Sequence, residues 1–234
     1  MRSLGDIGVF SLNYHKHIHC GEGGILVTND DRLARRMQLI RNHAEAVIDS
    51  DSPAELSNMI GYNFRMGELE AAIASEQLKK LNTNIASRRA AVEAFNRGLS
   101  DLEGISIPTV DPGNTHVYYI YGMTLHLNAV GVTRDKLAAA LRAEGVPGLV
   151  VGYQNVHRYP LFRHKIAYGS QGFPWVSGNG VSSVSYDIGS CPVAEHLHNH
   201  SFLGINICLN DYAVADVELV IAAFRKVWNQ RAGL

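Results

Sequence analysis

The stretch GDIGVFSLNYHKHIHCGEGGILVTND, residues 5–30, holds two short apolar runs separated by a polar, histidine-rich segment. Residues 6–12 (DIGVFSL) and 24–28 (GILVT) have the composition of strands covered on both faces. Between them stand a single lysine, Lys16, five residues after Ser11, and the cluster Gly21, Glu22, Gly23, Gly24. Asn29 and Asp30 then supply an N-cap for a helix with Leu33, Met37 and Ile40 on one face. A doubly covered strand needs neighbouring strands and flanking helices. Residues 1–60 offer only one further strand and one helix, so the sheet this segment suits is expected to be mostly missing, with the chain beginning in the middle of a domain.

Lys16 is the sharpest chemical feature. Desolvation disfavours an ammonium ion relative to the free amine, which makes a lysine at the end of an apolar sheet a candidate Schiff-base nucleophile. The Ser11 hydroxyl can serve a phosphate, and the glycines let backbone pass close to a flat ligand. An exposed loop lysine beside a glycine turn is the plainer alternative, and spacing alone leaves both open.

Working outward, residues 44–58 carry Ser, Asp and Pro without periodicity and read as a loop. Residues 68–97 contain neither Gly nor Pro, and Leu69, Ile73, Leu78, Leu81, Ile85, Val92, Phe95 and Leu99 recur at helical spacing. A continuous helix there is on the order of 45 Å long, enough to bridge two domains, with Asn82, Thr83 and Asn84 as a place to bend. The punctuation at 108–114 sets a boundary, giving 1–107 and 108–234 as the two domains. The second half alternates strand and helix. Residues 117–125, with Tyr118, Tyr119 and Tyr121, are β-rich, and 133–144 form a helix capped by Thr133 and stopped by Gly145. Residues 146–151 and 202–208 are strand candidates, and 216–228 close the chain as a helix with Val217, Ile221, Phe224 and Trp228 on one face. The stretch 152–192 is long, aromatic and glycine-dotted, a length usually associated with function or disorder.

Composition narrows the function. The chain has 234 residues, 46% hydrophobic and 18% charged, so it can bury a core. Lys plus Arg number 21 against 22 for Asp plus Glu, which argues against a nucleic-acid binder with a broad basic face. No apolar run approaches the ~20 residues needed to span a bilayer, and no secretory leader pattern stands at the start. Cys20, Cys191 and Cys208 form no CxxC pair and fit buried thiols in a reducing, cytoplasmic setting.

The stretch at 5–30 resembles the lysine segment of the DegT/DnrJ/EryC1/StrS family, the sugar-nucleotide aminotransferases that use pyridoxal 5'-phosphate (PLP). GYNFRMGELEAAIASEQLKKL at 61–81 is similar to the family's segment just before its long interdomain helix. HRYPLF at 157–162, FPW at 173–175 and CPVAEHL at 191–197 resemble its substrate-side loop, and FLGINIC at 202–208 also fits. The resemblance implies an α/β protein of fold type I, here a remnant of the PLP-binding large domain plus the C-terminal small domain. It implies Lys16 as the lysine that holds PLP covalently and moves the proton between substrate and cofactor carbons. Ser11 falls at the position that contacts the cofactor phosphate. Asn63 and Arg65 lie in the motif that reaches the neighbouring subunit's site in a homodimer. His157, Arg158 and Tyr159 take the substrate side. The implied reaction passes an amino group from glutamate or glutamine to a keto-sugar nucleotide, as in cell-surface polysaccharide biosynthesis. Some members carry histidine in place of the lysine and dehydrate sugars; Lys16 keeps the Ser-to-Lys spacing and favours transamination.

Complete members place a long segment ahead of these motifs, with the turn that cradles the phosphate, the ring-stacking aromatic and the carboxylate that pairs with the pyridine nitrogen. None of these can be assigned in this chain. Without that carboxylate PLP is a poor electron sink, so the chain alone is expected to be a weak transaminase. Three expectations follow: a truncated product, one half of a split pair, or a non-catalytic relative that joins a full-length homologue. Two histidine clusters, His15, His17, His19 and His196, His198, His200, could hold a metal in extended backbone, whereas in a helix only His196 and His200 share a face. No carboxylate or cysteine stands at fixed spacing to complete a site, so no metal is expected.

Overall fold

The apolar run at 6–12 and its partner at 24–28 form an antiparallel pair: β1 (Gly8–Ser11) opposite β2 (Gly24–Val27), with Val9 facing Leu26 and Phe10 facing Ile25. This computed structural model describes residues 4–45, 59–178 and 180–234. The chain divides into two units, Met1–Ala86 and Ser87–Leu234. In the first, Asp30 caps α1 (Asp31–Arg41) by accepting the Leu33 N–H at 3.0 Å, and Leu39 is the buried residue of that helix. A small core of Leu12, Ile18 and Cys20 packs with Ala74 and Leu81 of α2 (Glu68–Leu99).

The strand pair is not covered on both faces as its composition suggests. Successive residues point to opposite faces, yet Val9 is 70% exposed, Phe10 44%, Ile25 42% and Leu26 53%. Ile60, Phe64, Leu69 and Leu78 are exposed in the same unit. The sequence has strands built for burial, and the described residues supply no layer to bury them.

The second unit has a core of its own. A four-stranded antiparallel sheet runs in the order β3 (Ile105–Ser106), β4 (Ile120–Leu125), β8 (Phe202–Asn206), β5 (Leu149–Val150). Tyr121, Met123, Leu203 and Ile205 from the strands meet Val92, Phe95 and Leu99 of α2 and Leu137, Ala138 and Leu141 of α4 (Arg134–Ala143). Val217, Val220, Phe224 and Trp228 of α7 (Val214–Gln230) complete it. Short α3 (Leu127–Val130), α5 (Pro160–Arg163) and α6 (Pro192–His196), and the hairpin β6 (Val176–Ser177) with β7 (Gly180–Val181), fill the connections. The Tyr121 hydroxyl donates to Asn96 Oδ1 at 2.9 Å, and burial pushes this phenol well above the usual tyrosine range.

Several boundaries differ from the sequence reading. The two compact units divide within α2, where residues 87–99 place Val92, Phe95 and Leu99 in the second core. The α2 helix runs through Asn82, Thr83 and Asn84 without interruption. The strand at 117–125 starts only at Ile120, since Tyr118 adopts φ 53° and donates its N–H to His116 Nδ1 at 2.8 Å. The strand at 146–151 shrinks to two residues behind Gly148, whose φ is +62°. The loop expected at 44–58 lies, from residue 46 on, outside the described residues.

Phe95 is fully buried, so Phe95→Ala should cost about 3–5 kcal/mol in urea unfolding followed by circular dichroism. Leu219→Ala on the exposed face of α7 should stay within about 0.5 kcal/mol of the parent.

Candidate active site

The strand ladder continues one step past β1, where the Leu12 N–H donates to Gly23 O at 2.9 Å and the Cys20 N–H to Leu12 O at 3.1 Å. These two bonds close residues 12–23 into an anchored excursion with Lys16 at its tip. Within it the Lys16 N–H donates to Asn13 O at 3.0 Å, and Asn84 Nδ2 on α2 holds His17 O at 2.9 Å. Leu12, Ile18 and Cys20 are buried beneath, and Lys16 is half-buried. Ser11 is exposed at the end of β1, its Oγ accepting the Asn13 N–H at 3.3 Å, which leaves its own proton free to donate. Asn13 Nδ2 in turn donates to Glu22 Oε1. Gly21 has φ +92°, and a Cβ on Gly23 would lie 2.8 Å from Met66 Cε. Ser11 therefore stands at the mouth of the pinned turn that carries Lys16.

Asn63 and Arg65 sit on an exposed segment laid against the end of α1. Tyr62 donates its N–H to Ile40 O at 2.7 Å and Phe64 to Arg41 O at 2.9 Å, and Asn63 bridges Asn42. Tyr62 and Phe64 stack with centroids 4.9 Å apart, and Arg65 Nη1 donates to Asn42 Oδ1. A groove of about 740 Å³ runs between β2, α1 and this segment, lined by Ile25, Leu26, Ile40, Phe64 and Met66. Ser11 and Lys16 do not line it.

His157, Arg158 and Tyr159 belong to the second unit, in a loop held by its own polar contacts. His157 Nε2 lies 3.0 Å from Glu195 Oε1. Arg158 Nη1 donates to Tyr186 O at 2.8 Å, and Trp175 Nε1 donates to the Tyr186 hydroxyl at 2.9 Å. Glu195 also accepts N–H groups from Gly189 (2.8 Å) and Cys191 (3.2 Å). The Gly189 N–H, helped by His157 and the Cys191 N–H, holds its carboxyl below the usual carboxylate range. Sequence reasoning assigned Glu195 no part; its one signal was an acidic residue in a first turn opened by Pro192. Of the histidine clusters, His196 and His200 bring their rings within 5.7 Å across a π-helical turn. Among the described residues no group of three or more His, Cys, Asp or Glu could hold a metal ion.

Comparison with known proteins gives these placements a context. The model of the DegT/DnrJ/EryC1/StrS aminotransferase family matches residues 2–201. The L-glutamine:2-deoxy-scyllo-inosose aminotransferase of Streptoalloteichus tenebrarius is 33% identical over 91% of this chain and 53% of its own. The GDP-perosamine synthase of Caulobacter vibrioides is 32% identical over 69% of this chain and 42% of its own. The solved E. coli GDP-4-keto-6-deoxy-D-mannose-3-dehydratase with bound hydrated PLP shares the fold, with a TM-score of 0.70 at 20% identity over 96% of this chain and 55% of that one. The chain spans about half the length of the curated relatives it matches. No helix among the described residues is long and apolar enough to cross a membrane.

A carboxyl held low stabilises the fold above its unfolded pKa of ~4.3 and loses that contribution as pH falls through the lowered value. Acid should therefore release the loop around Glu195. Trp175 fluorescence, read in a Trp228→Phe background, should show an acid transition that Glu195→Gln removes.

Proposed function

The chain belongs to the DegT/DnrJ/EryC1/StrS aminotransferase family, and from that footing we propose that it forms the lysine-bearing part of a transaminase that passes an amino group from glutamate or glutamine to a keto-sugar nucleotide. Enzymes of this family work with PLP, which when bound supplies an aldehyde that condenses with primary amines and a ring that takes up an electron pair. The donor set fits that group: an amine for the aldehyde on the anchored turn, and at the turn's mouth a hydroxyl with a free proton for the phosphate.

The observation that carries the reading is the placement of Lys16 on a pinned turn with Ser11 beside it. Lys16 Nζ would hold the cofactor through its aldehyde and, when free, would take a proton from one carbon and return it to another. A turn fixed at both ends by backbone bonds gives that side chain a constant point of attachment through both transfers. Ser11 Oγ donates to the phosphate. Asn63 and Arg65 are exposed, as residues destined for a neighbouring subunit's phosphate must be. Arg158 keeps guanidinium donors beyond the one given to Tyr186, and Tyr159 keeps its hydroxyl, for the diphosphate and sugar of the acceptor. The names of the relatives, one acting with glutamine and one making a GDP-linked amino sugar, support donor and acceptor classes of this kind.

A second reading has its own observation. The apolar side chains exposed on both faces of the β1–β2 pair suit a chain that joins an N-terminal half or a full-length homologue, with any catalysis residing in that assembly. Titrating the purified chain with PLP separates the two. The catalytic reading predicts a visible absorbance band for the parent and for Lys79→Ala and none for Lys16→Ala. A band that survives Lys16→Ala removes the lysine assignment, and a parent without a band favours the non-catalytic reading.

A further inference from the structure

The loop thought to face the substrate leaves and re-enters the second unit at one end of its sheet. β5 and β8 are antiparallel neighbours, with Leu149 opposite Ile205 and Val150 opposite Gly204. The chain departs after Val151 and returns at His198, just before β8, so residues 152–197 form one closed excursion with its two ends side by side. At that base lies Arg134, the first residue of α4, only 7% exposed. Its Nη1 donates to Val151 O at 2.7 Å and also to His198 O, the carbonyls on either side of the excursion. Nε and Nη2 both donate to Asp135 Oδ1, at 2.9 and 2.8 Å, which fixes the plane of the guanidinium and offsets the cost of burying its charge.

A second contact closes the same base. Gly152 has φ +119°, and a Cβ there would lie 3.1 Å from His198 Nδ1 and 3.3 Å from His198 Cα. Only glycine lets the outgoing strand pass so close to the returning one. Inside the excursion the ties are local: His157 to Glu195, Glu195 to Gly189 and Cys191, Arg158 to Tyr186, and Tyr186 to Trp175. Those bonds give the loop a shape, and they leave that shape free to swing as a body unless something joins it to the sheet. The fork on Arg134 is the polar link that grips both ends.

We infer that Arg134 is a positioning residue: it clamps the two ends of the 152–197 excursion together and thereby sets the orientation in which His157, Arg158 and Tyr159 meet the acceptor substrate. What the loop binds rests on the aminotransferase reading; the clamp itself does not. A lysine can donate to both carbonyls from one nitrogen, as Nη1 does, but it lacks the Nε and Nη2 donors through which Asp135 fixes the guanidinium plane, so it holds them in a looser geometry.

The test uses the full chain, with Arg134→Gln, Arg134→Lys and, from the other side of the base, Gly152→Ala. Amide hydrogen exchange should speed up in peptides from 152–197 by about tenfold or more in Arg134→Gln, the equivalent of one lost charge-assisted hydrogen bond, while peptides from β4 and α7 keep the parent's protection. Arg134→Lys should fall between, and Gly152→Ala should resemble Arg134→Gln. Affinity for GDP-mannose, measured calorimetrically, should drop by a similar factor while covalent PLP loading and the protection of β4 and α7 stay at the parent's level, a pattern that general destabilisation does not produce. Unchanged exchange in Arg134→Gln overturns the clamp. Faster exchange with unchanged GDP-mannose affinity overturns the positioning role. If the parent itself shows no affinity for GDP-mannose or for a dTDP-linked hexose, the substrate reading of the loop fails and the positioning role fails with it, while the exchange result still decides the clamp.

Discussion

Two backbone hydrogen bonds, from Leu12 to Gly23 and from Cys20 back to Leu12, turn a histidine-rich segment of no evident periodicity into a fixed structure. They extend the β1–β2 register past its last paired residues and force the intervening chain into a closed turn. Burial of Leu12, Ile18 and Cys20 under that turn, with Ala74 and Leu81 of α2 against them, adds an apolar floor. Lys16 takes its backbone position from this closure. Remove the closure, and Ser11 and Lys16 become two residues on a flexible link with no reason to serve one ligand.

The two units rest on different physical terms. In the second, strands, the end of α2, α4 and α7 bury a contiguous set of large side chains, with Phe95, Leu137, Leu141, Ile205 and Phe224 fully shielded. That is a core of the kind that sustains a domain. The first unit has three buried residues under its turn and apolar side chains exposed on both faces of its strand pair. Hydrophobic area left in water contributes nothing to folding. Lys16 therefore sits in the unit with less core of its own.

What could be read from residues alone follows from the range of the interactions involved. The Asp30 and Thr133 caps, the Gly145 stop and the long run to Leu99 are local signals, and each stands where its chemistry places it. The placement of Ser11 at the mouth of the Lys16 turn was visible because both belong to a short motif. Strand ends were less visible: three tyrosines at 118–121 look uniformly β-forming, and the turn at Tyr118 arises from His116, whose ring stacks 4.2 Å away and accepts its N–H. The Glu195 hub and the Arg134 fork were not legible at all. Their partners lie up to 64 residues away in the chain, and no periodicity records a hydrogen bond to a distant carbonyl.

Lys16, on the 12–23 turn, is the amine proposed to condense with the cofactor's aldehyde. Borohydride reduction of the chain mixed with PLP, followed by peptide mass mapping, addresses it directly. A single reduced adduct on the peptide carrying Lys16 is expected. An adduct confined to Lys79, Lys80 or other surface lysines, with the Lys16 peptide unmodified, would contradict it.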